Sequence, residues 1–288
     1  MPMQLDIFEH SRDVMLNNAV VEAWLRHDLP AVQQGIALLR EEFPAHVDLP
    51  QHDRLRQQLH RFALGLQPGK LSLRQTQLRE QILPLAESLL GWHHRDRWAR
   101  PLWRALAEVA LPLPYDPRRP ECHATAFWLA ANEIAEARRA VSSIPSWRRI
   151  PQPLVWMTRI ELLASSPEVW WPLLAESAWL APEAFASQLR NVSGTVDPLI
   201  ARFSREFENN GEFHDLNWFP AWLLIHQPEI RQLLRPAEPN PSDPARAFSL
   251  LLDLLHLERT GQQAGLIAQR AKLRALAPDI FADYMRSR

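Results

Sequence analysis

Apolar residues in this chain recur at helical period, and prolines repeatedly cut the pattern off. Val32, Gly35, Ile36, Leu39 and Phe43 stand at i, i+3, i+4, i+7 and i+11, one continuous stripe along a helix. Similar stripes run through Ala124, Phe127, Trp128 and Ala131, through Ile134, Ala137, Val141 and Ile144, and through Phe248, Leu251, Leu252 and Leu255. The stretches 28–44, 132–145, 166–182 and 261–278 each open on a polar or glycine break. They close at Phe43-Pro44, Ile144-Pro145, Ala181-Pro182 and Ala277-Pro278. β-branched runs of strand length are scarce. The pattern predicts an all-α chain of antiparallel helical hairpins, which bury their apolar faces only by stacking on one another.

Between these hairpins the reading continues as helix and break. Leu55, Leu59, Phe62 and Leu66 mark a more polar helix over 49–66, and Gln67-Pro68-Gly69 signals a turn. A long helix follows over 72–90, kinked at Pro84 and ended by Gly91, and another over 96–110. The stretch 111–120 holds four prolines and reads as a linker between an N-terminal part, 1–110, and a C-terminal part, 121–288. Asn132-Glu133 turns the chain. Trp156, Ile160 and Leu163 predict a helix whose partner carries Trp170, Leu173, Leu174, Ala178 and Ala181. Pro172 means that this partner either starts two or three residues after Pro167 or opens with a distorted turn. Ser166-Pro167, Asp197-Pro198 and Asp243-Pro244 pair a capping side chain with proline at the first helical position. Residues 192–217 fit no hairpin, and 279–285 read as a short capping helix.

Composition narrows the class. The 288 residues include 47% hydrophobic and 23% charged side chains, 25 prolines and only 8 glycines. So few glycines argue against a turn-rich sheet protein and against phosphate-cradling loops. The net charge of −1 excludes a globally basic nucleic-acid binder. Lysine occurs only at Lys70 and Lys272 against 30 arginines, a skew expected of a GC-rich bacterial genome. A single cysteine, Cys122, permits no internal disulfide and no cysteine zinc cluster. The first residues, with Asp6 and Glu9, lack the basic and apolar regions of a leader. No apolar run approaches membrane-spanning length. A cytoplasmic protein is expected.

Few residues carry candidate chemistry. His93-His94-Arg95-Asp96 is dense in ligand types, but adjacent helical side chains diverge by about 100° and rarely chelate together. The alternative is a solvated helix start with Asp96 near its cap. Cys122-His123 invites a nucleophile reading, with a helix start to lower the thiol pKa, but no supporting motif surrounds it. His256–Glu258 and Glu206–Glu208 stand at i and i+2, and so face apart on a helix. No catalytic residue, metal or cofactor is expected. Residues 95–149 hold 10 arginines against 6 acids, with Trp98, Trp103, Trp128 and Trp147 interleaved. Such a mixture can bind a nucleic-acid backbone and bases, or an acidic protein. Among the 12 tryptophans, Trp147, Trp171, Trp179, Trp218 and Trp222 fit their stripes least well and are candidates for a groove.

With Gly35, Ala131, Ala137 and Ala178 at helix crossings and Pro44, Pro145, Pro182 and Pro278 after second helices, the hairpins resemble degenerate tetratricopeptide-type repeats. The intervals of 37, 101 and 96 residues between those prolines approximate one, three and three units of about 34 residues. The Trp-x-x-Leu-Gly-x-x-Tyr opening of that family is absent. The resemblance implies a right-handed α-solenoid of about 13 to 16 helices. It also implies a non-enzymatic adaptor role, with a partner protein or peptide held on a concave face. The residues expected to meet the partner are Arg138, Arg139, Trp147, Arg148, Arg149, Trp171, Trp179, Trp218 and Trp222. Alternatives are polyanion binding through 95–149 and an enzyme built around Cys122 or His93, His94 and Asp96.

Overall fold

The computed structural model describes residues 11–189, 197–206, 213–227, 237 and 240–288. The first ten residues, with the leader question they bear on, lie outside these. So do 192–196 and 207–212 of the stretch that fits no hairpin, and Glu208. All regular structure among the described residues is helical, with no strand, and the helices pack on one another. No described helix is long and apolar enough to cross a membrane.

The chain divides into two compact units, Met1–Ala137 and Arg138–Arg288. In the first unit, α1 (Arg12–Leu25) pairs with α2 (Leu29–Glu42). Asp28 caps α2 by accepting from the Ala31 N–H at 3.0 Å, as expected of an aspartate before a Leu-Pro helix start. Val32, Ile36 and Leu39 of the α2 stripe are buried against α1. Gly35 lies where an added Cβ would come within 2.7 Å of Val20 Cγ2, so the expected close approach is there.

Helix α3 (Leu49–Leu64) is tied to α1 through a buried polar chain. Trp24 Nε1 donates to His52 Nδ1 at 3.1 Å, and His52 Nε2 donates to Asn17 Oδ1 at 2.9 Å. Asn17 in turn donates to Asp48 at 3.0 Å. Because Nδ1 must accept, His52 is neutral here, and burial pushes its pKa down.

The long helix expected over 72–90 is three segments: α4 (Leu71–Gln77), a π turn over Leu78–Ile82, and α5 (Leu83–Leu90). Pro84 explains the π turn. Proline has no N–H for the carbonyl four residues back and clashes with it, and here Leu83 N–H bonds five residues back to Leu78. Gly91, at φ 86°, ends α5 and opens α6 (Trp92–Ala110). His93, His94 and Asp96 therefore all lie in the opening turns of α6, and Gly91 rather than Asp96 is its cap. α6 packs along α7 (Ala124–Ala130), and the proline-rich stretch 111–120 joins this pair inside the first unit. Asn132, at φ 60°, turns the chain into α8 (Ile134–Ser142), within which the division between units falls.

In the second unit, α9 (Pro151–Ala164) pairs with α10 (Pro167–Leu180). The hydroxyls of Thr158 and Ser177 meet at 2.6 Å in that contact. α10 begins at Pro167 with Pro172 inside it, so a later start is ruled out. Proline at 172 removes only one intrahelical bond, and burial of Trp170, Trp171 and Leu174 holds the helix through it.

Helix α11 (Pro182–Leu189), α12 (Asp197–Glu206) and a 3-10 segment over Phe213–Trp218 lead to α13 (Phe219–His226). Every α13 residue from Phe219 to Ile225 is buried, as its apolar run demands. It packs on α10, α12, α14 (Asp243–Thr260) and α16 (Pro278–Arg286), with α15 (Gln263–Leu276) returning along α14. Pro182 and Pro278, read as the ends of hairpins, are also the first residues of α11 and α16.

Candidate functional site

The second unit brings Arg138, Trp147 and Arg148 together around one cavity. Arg138 projects from α8. Pro145 and Ser146, the latter at φ 55°, end that segment and swing the chain into a single 3-10 turn over Trp147–Arg149. α9 and α10 supply the opposite walls. The cavity has a volume of about 500 Å3, with Met157 and Leu173 as apolar lining and Glu161 beneath Arg138. Glu168 and Val169 of α10 line it as well, with Val169 48% exposed. A hydrogen bond from the Ser166 hydroxyl holds the Glu168 carboxyl below the usual carboxylate range.

Both arginines are anchored on buried carboxylates. Arg138 Nη2 donates to Glu161 Oε2 at 3.0 Å and to Ser165 Oγ at 3.2 Å, and its Nε lies 2.9 Å from Glu161 Oε1. Arg148 makes a bidentate pair with Glu176, at 2.7 and 2.6 Å. Glu161 and Glu176 have only 9% and 7% of their side chains exposed. The fork-to-fork pair of Arg148 with Glu176 fixes that guanidinium more firmly than a surface ion pair would.

A second cavity of about 310 Å3 is also lined by Arg148, together with Arg149, Glu176, Trp179 and Asn240. Trp179 is 9% exposed, and its Nε1 is buried with no hydrogen-bond partner among the described residues.

The remaining expected contact residues are placed elsewhere. Arg139 is exposed and lines neither cavity. Trp171 and Trp222 are fully buried in the core of the second unit, so they offer a partner no surface. Trp171 packs against Trp170 and Phe248, and Trp222 against Phe203, Phe219 and His226. Trp218 is half-buried against the same core. Trp92, which no stripe includes, is 75% exposed beside His93. Its position between Gly91 and a polar tetrad was the available signal.

Of the residues of the enzyme reading, His93 and His94 lie with their ring centroids 4.3 Å apart, but no further ligand type joins them among the described residues. Burial pushes the Cys122 thiol up, the opposite of nucleophile activation. His123 Nδ1 accepts from the Thr125 N–H at 3.3 Å, capping α7, and burial lowers its pKa to about 4. Arg95 occupies Asp96 at 2.9 Å and Glu87 at 2.7 Å. Among the described residues no three His, Cys, Asp or Glu side chains form a group that could hold a metal ion. Comparison with family models, curated proteins and solved structures finds no match to this chain.

Proposed function

We propose that the chain is a non-enzymatic binding protein whose second unit takes up an extended segment of a partner protein. The observation that carries this reading is the pair of cavities sharing Arg148. Together they offer apolar contacts at Met157, Leu173 and Val169 and a half-exposed Trp147. An extended peptide supplies apolar side chains that would fill the first cavity. Trp147 and the fixed Arg148 would be the anchors, since Trp and Arg carry much of the binding energy at interfaces.

The pairing of the arginines favours a peptide over a polyanion. Arg104 with Glu133, Arg119 with Asp116, Arg138 with Glu161 and Arg148 with Glu176 already have carboxylate partners within 95–176. A phosphate backbone would have to displace those acids, whereas a peptide need not.

The same reading takes the helices as a degenerate tetratricopeptide-like array. Its support is the pairing of chain neighbours in α1 with α2, α9 with α10, and α14 with α15. Helix α13 departs from nearest-neighbour stacking by packing on α10 and α16 as well.

Peptides selected from a random library on the full chain, followed by hydrogen exchange, test the proposal. Protection confined to the helices and turn around the two cavities supports it. Protection only in the first unit, or none, refutes it.

A further inference from the structure

The first unit contains a pocket of different character, and the inference drawn from it does not rest on the groove of the second unit. It lies between the end of α3 and the α4–π-turn segment, with a volume of about 420 Å3. Gln58, Arg61 and Leu64 stand on one side, and Arg74, Gln77 and Gln81 on the other, with Lys70 and Leu73 also lining it. Among the described residues no carboxylate lines it. Three cations around one small pocket are unexpected in a chain of net charge −1, whose other arginines are so often matched with acids. Among the described residues, the side chains of Arg61 and Lys70 make no hydrogen bond or ion pair.

Other groups of the pocket are fixed in advance. Arg74 Nε donates to the Gly65 carbonyl at 3.2 Å, and Nη1 donates to Gln77 Oε1. Two of the five guanidinium donors are thereby used, which orients the fork and leaves three. Gly65 makes this possible, because a Cβ there would run into the Arg74 guanidinium. Gln77 is 6% exposed, and its amide donates to Gln58 O at 3.2 Å and Gln58 Oε1 at 2.9 Å. Gln81, seven residues after Arg74, lines the pocket with Arg74 and Gln77. π turns inside helices are frequent at functional sites.

We propose that this pocket binds a small phosphate monoester. A doubly charged oxyanion matches three cations that have no carboxylate between them, and the planar fork of Arg74 fits phosphate oxygens. The glutamine amides, each both donor and acceptor, suit the hydroxyl-bearing body of such an ester. The volume lies within the range of small-ligand sites.

Calorimetric titration of the full chain at low salt with ribose 5-phosphate, inorganic phosphate and glutarate tests this. One site for ribose 5-phosphate is expected, with inorganic phosphate competing and glutarate much weaker. The double variant Arg61→Gln/Lys70→Gln removes side chains that bond to nothing else, so its melting temperature should be unchanged. Its affinity should fall about tenfold or more. Arg74→Gln should also lose binding. Absence of binding by both phosphate probes, or equal binding to the double variant, overturns the proposal. Glutarate binding as tightly as ribose 5-phosphate overturns the assignment of a phosphate ester.

Discussion

Arg148 straddles Glu176: its Nε and Nη2 donate to the two oxygens of a carboxylate that is 7% exposed. The pair joins the 3-10 turn over Trp147–Arg149 to α10, and Arg148 lines both cavities. Removing Arg148 would leave Glu176 charged in a site that water barely reaches. Arg148→Ala should therefore cost about 2 kcal/mol in urea unfolding. That is less than the ~3–5 kcal/mol of a fully buried pair, because the guanidinium itself is partly solvated. Replacing both, as Arg148→Met with Glu176→Leu, should bring stability back toward that of the parent chain. A single-variant cost near zero would show that the pair does not hold the turn.

Acid should weaken the first unit through His123. Its neutral ring caps α7, and its folded pKa of about 4 lies below the value near 6.5 of a free imidazole. Between those two values the unfolded chain binds a proton that the folded chain excludes. Stability is therefore fully present above about pH 6.5 and declines as the pH falls toward 4. The loss from this one group is on the order of 3 kcal/mol. His27 and His52, both lowered by burial, act in the same direction. Asparagine also caps helices, so His123→Asn should flatten the dependence of unfolding free energy on pH while keeping the cap. An unchanged slope in that variant would remove His123 as a cause.

Gly35 sits where a methyl group would overlap Val20, a residue with no exposed surface. Gly35→Ala gains about 1 kcal/mol of helix propensity but overpacks the α1–α2 contact, which costs about 1–3 kcal/mol. A net loss of stability is expected. Combined with Val20→Ala, the new methyl occupies the space vacated, and the double variant should be more stable than the sum of the single effects by about 1 kcal/mol. Strict additivity would mean that the helices do not approach closely at this point.

Much of the helical architecture is legible in local sequence. The Val32, Ile36, Leu39 stripe is buried, Gly35 meets Val20, and 279–285 lies in the last helix. What escaped is set by contacts distant in the chain. Pro172 looks like a helix boundary until burial of its neighbours holds α10 through it. Trp171 and Trp222 look like groove residues because their places within a stripe do not reveal a helix such as α13, packed on several sides. Arg138 and Arg148 were picked out by charge, but nothing local shows that Glu161 and Glu176, 23 and 28 residues away, would anchor them. The basic pocket of the first unit is hidden for the same reason, since Arg61 and Arg74 line one pocket only in the folded chain.

The most direct measurement is the dissociation constant of library-selected peptides for the parent chain and for Trp147→Ala and Val169→Asp. Both altered side chains are at least partly solvent-exposed and line the first cavity, so the fold should survive, as an unchanged melting temperature would confirm. Losses of about tenfold or more in both variants, with binding intact in Arg61→Gln/Lys70→Gln, are the expected result. Peptides that bind all of these chains equally, or a library that yields none, would contradict a peptide-binding groove on the second unit.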